Sequence, residues 1–293
     1  NNSNFNIINL DALYYCGSIE NILPEIRNNP NYTFIQGNIC NQYRVKFILE
    51  NYNIDTIIHF AAQSHVDNSF SNPLQYTKDN INGTHTLLEC IRYYGKIKKF
   101  IHVSTDEVYG ESLGDIKRET SLLNPTNPYA ATKAAAEMLV NSYVYSYGLP
   151  AIITRGNNVY GPRQYPEKLI PKFIISLLSG KKCSVHGEGK TIRSFLYVDD
   201  VARAFELILF KGKIGDIYNI GTDDEFSVME ITEKLVNKIK DDKHLDNYVE
   251  YVEDRKYNDL RYNIEFEKLK ELGWEQKVEI DEGLDKTIKF YKN

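Results

Sequence analysis

The sequence predicts an α/β fold built on a doubly wound parallel β-sheet, and two observations lead to this class. Short apolar runs alternate with longer amphipathic stretches through the first half of the chain, an order that is typical of parallel strands with helices on both faces. The length of 293 residues suits one large domain or two small ones, at roughly 100–200 residues per domain. Ligands of such sheets bind beyond the carboxyl ends of the strands, so function is sought in the residues that follow each run.

Five apolar runs of the first half are predicted strands, and two longer amphipathic segments between them are predicted helices. The strands are expected over 5–11, 33–37, 56–60, 99–105 and 151–155. The helices are expected over 83–94 and 128–147. The first strand ends in an acidic residue, Asp11.

The second half changes character from about Gly161, where a loop with three prolines covers 162–171. A helix is expected over 173–178, a strand end followed by a helix over 194–210, a strand over 216–220, and amphipathic helices over 228–240 and 281–291. We predict a sheet domain over 1–161, to which the chain returns around 194–221, and a smaller lobe mainly over 162–293. The binding cleft is expected between them.

Composition excludes several classes of protein. Lys plus Arg number 35 and Asp plus Glu 40, a net charge of −5, which argues against a nucleic-acid binder that relies on bulk phosphate attraction. No apolar run approaches the ~18 residues of a membrane span, and the first residues do not resemble a signal peptide. The four cysteines form no C-x-x-C pair and the histidines no H-E-x-x-H motif, so we expect a soluble, cytoplasmic protein with reduced thiols and no metal.

Tyr129 and Lys133 form the strongest local motif. They follow Asn127-Pro128, which is typical of a helix start with proline in the first turn. Residues i and i+4 share a helix face, so phenol and ammonium would point into one cleft. The positive charge would lower the pKa of the Tyr129 phenol and make it available as a base. A chance pair on a solvated helix is the alternative.

Three polar residues, Thr105, Asp106 and Glu107, directly follow the predicted strand over 99–105. A solvated loop could also contain two adjacent carboxylates, but Val103 and Val108 bracket this pair with apolar side chains. Neighbouring carboxyls in different environments can hold different pKa values, so that one acts as an acid and the other as a base. Together with Tyr129 and Lys133 they form a candidate catalytic site.

Six stretches of the chain resemble the extended short-chain dehydrogenase/reductase superfamily, and within it the nucleotide-sugar 4,6-dehydratases. They cover 59–67 (HFAAQSHVD), 104–110 (STDEVYG), 129–133 (YAATK), 155–162 (RGNNVYGP), 166–171 (PEKLIP) and 218–221 (YNIG). The segments 155–162 and 253–262 resemble most the UDP-glucose 4,6-dehydratases of plant-type UDP-rhamnose synthesis, and the dTDP-glucose enzymes are closely similar.

This resemblance implies a Rossmann-like domain that binds NAD, and a role for each catalytic candidate. Tyr129, with Thr105 and Lys133, would remove the sugar O4 proton as hydride leaves C4 for NAD. Glu107 would take the C5 proton that the new 4-ketone acidifies, and Asp106 would protonate the departing C6 hydroxyl. Return of the hydride to C6 would leave a 4-keto-6-deoxy sugar for the synthesis of rhamnose or another 6-deoxysugar.

The resemblance also implies contacts to the cofactor. Asp11 would bind the adenosine ribose hydroxyls, which favours NAD over NADP because a carboxylate repels the 2′-phosphate. Asn38 and Ile39 stand where the family commonly has Asp-Ile against adenine, a mild departure. Further cofactor-lining positions are Phe60, Ala61 and Ala62, besides Tyr129 and Lys133.

The sugar nucleotide would be held by residues of both halves. His65 is expected to line the cleft, and the other matching positions are Asn158, Lys168, Arg193, Asn219, Arg255 and Tyr257. Arg193 and Arg255 suit the diphosphate, since a guanidinium gives bidentate contacts to phosphate oxygens.

One departure from the superfamily concerns its opening strand and G-x-x-G-x-x-G loop, whose backbone amides hold the NAD pyrophosphate. This sequence contains no such loop, and its first predicted strand corresponds to the family's second. We expect the sequence to be part of a longer protein. A chain that naturally started at Asn1 would be expected to bind NAD poorly.

Other activities of the superfamily remain open at this point. Epimerases acting at C4 generally lack the acidic pair, and UDP-glucuronate decarboxylases usually have a small residue where Asp106 stands, so this pair favours dehydration. A catalytically silent NAD-binding protein is a further alternative. The choice between UDP and dTDP stays open. The resemblance suggests a homodimer formed by the helices around 83–94 and 128–147.

Overall fold

The computed structural model describes residues 5–242, 244–254 and 257–292. The strands are β1 (Ile7–Asp11), β2 (Tyr32–Gln36), β3 (Thr56–His59), β4 (Lys99–Thr105), β5 (Ala151–Gly156), β6 (Asn158–Tyr160), β7 (Cys183–His186), β8 (Ile192–Tyr197), β9 (Ile217–Ile220), β10 (Glu225–Ser227) and β11 (Val249–Val252). The α-helices are α1 (Pro24–Arg27), α2 (Gln42–Asn51), α3 (Val66–Ser71), α4 (Pro73–Tyr76), α5 (Gly83–Tyr94), α6 (Pro128–Tyr147), α7 (Leu169–Leu178), α8 (Val198–Lys211), α9 (Val228–Lys240), α10 (Glu267–Glu271) and α11 (Ile280–Lys292). A π-helical turn (Thr77–Asn82) precedes α5, and 3-10 turns cover Ile19–Asn21, Asp106–Tyr109 and Leu245–Asn247.

Parallel strands form the centre of the first half, which confirms the predicted α/β class. Strands β3, β4, β5 and β9 pair in that order, all in parallel, and β1 pairs in parallel with β2. Within the described residues, β1 and β3 each have only one strand neighbour. The carboxyl ends of β4 and β5 lie side by side, with Thr105 opposite Gly156.

Successive side chains of the central strands point to opposite faces of the sheet, and each face is covered by helices. Phe100 and Ile153 pack with α2, α5 and α6, whereas Ile101 and Ile152 pack with α8 and α10. This arrangement follows from runs that are apolar at every position, as expected of parallel strands buried on both sides.

The second half forms smaller sheets. Strand β8 pairs in parallel with β6 and antiparallel with β10, and β11 pairs in parallel with β7. Helices α7, α9 and α11 pack against these strands in a separate apolar cluster. Of the two segments expected to return to the parallel sheet, 216–220 does so through β9, but the strand preceding α8 does not, because β9 occupies the edge beside β5. The division at residue 161 stays a prediction.

A buried ion pair joins the elements around the carboxyl end of β5. Arg155 of β5 and Glu137 of α6 are in contact at 2.6 Å, and their side chains are 4% and 0% exposed. The Arg155 guanidinium also donates to the Tyr109 hydroxyl at 2.8 Å, which donates to Asn219 Oδ1 of β9 at 2.8 Å. Because a buried charge without a partner is very unfavourable, the network holds a helix, two strands and the Asp106–Tyr109 turn in one arrangement.

The described residues include no helix that combines the length and the apolar character needed to cross a membrane. They also include no cluster of histidine, cysteine and acidic side chains arranged to hold a metal ion. All four cysteines are free thiols.

Replacing Glu137 should destabilise the fold strongly. In Glu137→Ala the Arg155 guanidinium stays buried without its carboxylate, so the free energy of unfolding should fall by about 3–5 kcal/mol. The matched control is Asp285→Ala, which breaks an exposed pair with Lys238 at 2.9 Å and should cost less than about 1 kcal/mol. Urea titrations of both variants measure the difference, and equal losses would contradict the structural role of the buried pair.

Candidate active site

The predicted catalytic residues meet where β4 ends and α6 begins. Thr105 is the last residue of β4, and its Oγ1 accepts the backbone N–H of Glu107 at 3.3 Å, which starts the 3-10 turn. Asn127 caps α6 by accepting the backbone N–H of Ala130 at 2.8 Å. Its Nδ2 donates to Glu107 Oε2 at 3.0 Å, so a single residue both starts the helix and holds the carboxylate.

The two adjacent carboxyls have different surroundings. Asp106 is 4% exposed and accepts from Asn157 Nδ2 at 2.7 Å. Burial, reinforced by the charge of Glu107, raises the pKa of Asp106 to about 7, against the lowering effect of its hydrogen bonds. Burial also raises the pKa of the Glu107 carboxyl, against the hydrogen bond from Asn127 and the nearby charge of Arg193. Asp106 can therefore retain a proton near neutral pH.

Tyr129 and Lys133 lie on the buried face of α6, 8% and 5% exposed. Burial and then the charge of Glu107 raise the pKa of the Tyr129 phenol, while a hydrogen bond with Thr105 opposes them. Lys133 Nζ donates to the Val103 carbonyl at 2.6 Å, and burial lowers its pKa to about 8. The prediction that Lys133 lowers the pKa of Tyr129 is wrong for this structure, because burial and the carboxylate dominate around the phenol.

Two histidines lie close to Lys133, a feature that the sequence did not reveal. The rings of His59 and His102 have centroids 5.3 Å apart, and both residues are buried. Burial and then the charge of Lys133 lower the pKa of His59 to about 3 and that of His102 well below its ordinary value. Both imidazoles are therefore neutral, and the lysine is the cation of this part of the site.

Two of the predicted substrate-binding cations, Arg193 and Lys168, lie close enough to the adjacent carboxyls to change their pKa values. The Arg193 guanidinium lies 4.8 Å from the centre of the Tyr262 ring and donates to Asn258 Oδ1 at 3.2 Å. Its charge lowers the pKa of both Asp106 and Glu107. Lys168 donates to the Ser64 carbonyl at 2.7 Å, and its charge lowers the pKa of Glu107. The second half of the chain thus supplies positive charge near the carboxyls of Asp106 and Glu107.

The remaining substrate candidates have varied locations. His65 is half-buried between Asp67 and Glu167, with N–O distances of 3.7 and 3.6 Å, and burial lowers its pKa. Tyr257 is exposed, and Arg255 lies outside the described residues.

Asn219 differs most from expectation, and Asn158 is less closely placed than its neighbour Asn157. Asn219 is fully buried, accepts from Tyr109 and donates to the Glu265 carbonyl at 2.7 Å, so its side chain is occupied inside the network around Arg155. Asn158 is exposed, whereas its neighbour Asn157 is 5% exposed and contacts Asp106. Sequence reasoning missed Asn157, although it stands within the motif 155–162. A substrate contact of Asn158 stays a prediction, and one of Asn219 is a prediction that its occupied, buried side chain does not support.

The cofactor candidates follow the carboxyl ends of β1, β2 and β3. Asp11 is exposed at the end of β1 and accepts the backbone N–H of Leu13 at 2.7 Å. Asn38, just after the neighbouring strand β2, donates to the Tyr14 hydroxyl, and Ile39 is 9% exposed. The residues after β3 form an open surface of one aromatic and two small side chains: Phe60, Ala61 and Ala62 are all exposed.

Comparison with known proteins gives consistent matches along nearly the whole chain. The family model described as GDP-mannose 4,6 dehydratase matches residues 1–287. A trifunctional UDP-glucose 4,6-dehydratase/UDP-4-keto-6-deoxy-D-glucose 3,5-epimerase/UDP-4-keto-L-rhamnose-reductase of Arabidopsis thaliana is 50% identical over 294 residues, covering 99% of this chain and 44% of that protein. This chain therefore spans less than half the length of that curated relative.

Shorter relatives match over most of their length. The dTDP-D-glucose 4,6-dehydratase of Homo sapiens is 50% identical over 292 residues, covering 99% of this chain and 83% of that protein. Among solved structures, a dTDP-glucose 4,6-dehydratase from Streptomyces venezuelae with NAD and TYD bound has a TM-score of 0.93 and 39% identity. That match covers 97% of this chain and 87% of the other.

Neutralising Asp106 should stabilise the protein at neutral and alkaline pH. A carboxyl whose folded-state pKa is raised from 3.8 to about 7 contributes stability that is complete below about pH 4 and is lost as the pH rises through 7. Asp106→Asn lacks this titration, so its advantage over the parent in free energy of unfolding should grow by about 2–4 kcal/mol between pH 4 and pH 8. Denaturant titrations across this range measure the difference, and a constant difference would contradict the raised pKa.

Proposed function

The chain belongs to the GDP-mannose 4,6-dehydratase family, and from this premise we propose that it is an NAD-dependent nucleotide-sugar 4,6-dehydratase. The reaction is the conversion of a nucleoside-diphosphate glucose, with UDP-glucose favoured, to the 4-keto-6-deoxy sugar and water. The observation that carries the proposal is the pair Asp106 and Glu107, which have different hydrogen-bond partners beside the buried Tyr129.

The residues present fit NAD at both ends. Asp11 offers an exposed carboxylate to the ribose hydroxyls, and the small exposed side chains of Ala61 and Ala62 allow a flat ring system to approach the sheet edge. Tyr129 and Lys133 would hold the nicotinamide end. When bound, NAD supplies a group that accepts hydride from C4 of the sugar and later returns it to C6.

Tyr129 is the base for the oxidation at C4 in this proposal. Its hydroxyl is hydrogen-bonded with Thr105, which would direct it toward the O4 proton. For Tyr129 to accept the O4 proton its phenol must first be ionised, and the raised pKa of the phenol opposes this ionisation. The positive charge of oxidised NAD beside the phenol would favour the phenolate, because an opposite charge stabilises the ionised form.

Glu107 and Asp106 then share the loss of water. The 4-ketone acidifies the C5 hydrogen, and Glu107 is a stronger base than a solvated glutamate because burial raises its pKa. Asp106, with a pKa of about 7, can donate its proton to the C6 hydroxyl as that group leaves. A C4 epimerase needs neither of these groups, so their presence favours dehydration over epimerisation.

The sugar nucleotide would bind across the cleft between the two halves. Arg193 and Lys168 place positive charge beside the carboxylates, where a diphosphate would extend from the sugar. UDP is favoured because the segments 155–162 and 253–262 resemble the UDP-glucose enzymes most. The relatives at 50% identity act, by their names, on UDP-glucose and on dTDP-glucose.

Two further elements of the proposal concern assembly and location. Helices α5 and α6 expose large apolar side chains, and these are Tyr93, Met138, Tyr145 and Tyr147. Such a surface suits a homodimer formed by these two helices.

The free thiols of all four cysteines are consistent with a cytoplasmic location.

Loss of one water from a nucleotide sugar is the direct test. The full-length protein with NAD is given UDP-glucose and dTDP-glucose in separate reactions, and mass spectrometry follows the product. We expect dehydration of UDP-glucose, with the ratio of the two rates giving the nucleotide preference. Absence of dehydration with both substrates would contradict the proposal, and UDP-glucuronate and UDP-galactose would then test the decarboxylase and epimerase alternatives.

Single substitutions separate the steps of the reaction. Asp106→Asn and Glu107→Gln should lower the rate of water loss by about 100-fold or more, because each removes a positioned acid or base, while NAD still binds. Tyr129→Phe should prevent oxidation at C4, so no absorbance of reduced nicotinamide should appear. Lys190→Met, which alters an exposed pair with Glu188, serves as the control. Dehydration at the parent rate in both carboxyl variants would refute the assignment of the acid and the base.

A further inference from the structure

Asp259 is a buried carboxylate that the proposed reaction does not use. It is 3% exposed. Its Oδ2 accepts a hydrogen bond from Thr126 Oγ1 at 2.6 Å and another from the Tyr262 hydroxyl. Its Oδ1 is buried and accepts no hydrogen bond from the described residues. The two donors to Oδ2 are therefore the hydrogen bonds that compensate for the lost hydration of this carboxyl. Its two donors belong to different parts of the chain, so Asp259 fastens those parts together.

The first donor, Thr126, is adjacent in sequence to the residue that holds the Glu107 carboxylate. Thr126 immediately precedes Asn127, whose Nδ2 holds Glu107 Oε2 at 3.0 Å and whose Oδ1 caps α6 through the N–H of Ala130 at 2.8 Å. Because one peptide bond separates the two residues, fixing the side chain of Thr126 limits the positions that the Asn127 amide can take. The direction of the Glu107 carboxylate is therefore set partly from Asp259.

The second donor, Tyr262, packs against Arg193, the cation proposed to bind the diphosphate. The Tyr262 ring lies 4.8 Å from the Arg193 guanidinium, which also donates to Asn258, the neighbour of Asp259, at 3.2 Å. The backbone continues this connection, since the Leu260 carbonyl accepts the N–H of Ile192 at 2.7 Å.

The same short segment is attached to the other side of the site. The Leu260 N–H donates to Glu111 Oε1 at 2.6 Å, and the Ser112 N–H donates to the Arg261 carbonyl at 2.9 Å. Both partners follow the turn that contains Asp106 and Glu107. The segment 258–262 therefore touches both the Arg193 strand and the chain just beyond the catalytic turn.

Asp259 also affects Glu107 through its charge. The Asp259 carboxylate raises the pKa of Glu107, whereas Arg193 and Lys168 lower it. Asn127, the closest partner of Glu107, is uncharged and lowers the pKa through its hydrogen bond. Asp259 thus offsets part of the effect of the cations that the substrate diphosphate requires nearby.

We propose that Asp259 is a positioning residue for the proposed dehydration. It links the Arg193 side of the substrate site to the Thr126–Asn127 turn, and so keeps Glu107 directed at the C5 proton when the diphosphate is bound. This inference rests on the proposed function, because it concerns the step that removes the C5 proton.

The test uses the full-length protein with NAD and the nucleotide glucose that it dehydrates. Asp259→Asn keeps the size and an oxygen acceptor but removes the charge, whereas Thr126→Val removes the donor and keeps the charge. Asp285→Asn, at an exposed pair with Lys238, is the matched control. For each variant, kcat and KM for water loss, the absorbance of reduced nicotinamide and the pH profile of kcat are measured.

We expect Asp259→Asn to lower kcat about tenfold or more with a small change in KM, because the hydrogen bonds from Thr126 and Tyr262 then end on a neutral amide oxygen and hold the turn less firmly than they hold it to a carboxylate. Reduced nicotinamide should accumulate, since oxidation at C4 proceeds and the C5 step is slowed. The acidic limb of the kcat profile should move to lower pH by on the order of half a unit, as removal of a negative charge lowers the pKa of Glu107. Thr126→Val should lower kcat without moving that limb, and the control should match the parent.

Three results would overturn the inference while leaving the proposed function intact. They are an unchanged kcat in Asp259→Asn, an equal loss of C4 oxidation and water loss with an unmoved acidic limb, or, should that variant not fold, an unchanged kcat in Thr126→Val. A parent protein that releases no water is a different result, because it refutes the proposed function before any variant is compared.

Discussion

The buried ion pair between Arg155 and Glu137 joins the helix that contains Tyr129 and Lys133 to β5, which lies beside the strand that ends in the Asp106–Tyr109 turn. Each charge is stable in the interior only while the other is present, so α6 cannot shift along β5 without exposing one of them. Tyr109, at the end of the turn with Asp106 and Glu107, donates into the same network. The spacing between the Tyr129 phenol and the two carboxyls therefore depends on the ion pair between Arg155 and Glu137.

The pKa values of the candidate catalytic residues are governed mainly by the exclusion of solvent from their side chains. Burial is the largest cause of the raised pKa of Asp106, Glu107 and Tyr129, and of the lowered pKa of Lys133. The pKa values of Asp106, Glu107 and Lys133 are therefore shifted toward neutral pH, whereas that of the Tyr129 phenol is shifted away from it, because burial disfavours the charged form of each group. Hydrogen bonds distinguish the two carboxyls, because Asn157 holds one and Asn127 the other.

The second half of the chain provides the opposite charge. Because β8 pairs with β6 and β10, its Arg193 projects from a different sheet than the catalytic turn and still lowers the pKa of both carboxyls. The loop before α7 is held to the first half by Tyr15, whose hydroxyl donates to Glu167 at 3.0 Å and whose ring packs on Tyr165. Side chains of both halves therefore act on the carboxyls of the Asp106–Tyr109 turn.

The sequence by itself determined the α/β class, the limits of strands such as 99–105, the helix over 128–147, and the chemical identity of Thr105, Asp106, Glu107, Tyr129 and Lys133, because periodicity, capping and motif spacing are local properties. Only the tertiary structure decided that Asn157 rather than Asn158 faces Asp106, that Asn219 is occupied in the interior, and that the pKa of Tyr129 is raised. These outcomes depend on which residues of distant segments surround each side chain and exclude water from it. Local spacing contains no record of those neighbours, so they are fixed only when the strands and helices pack.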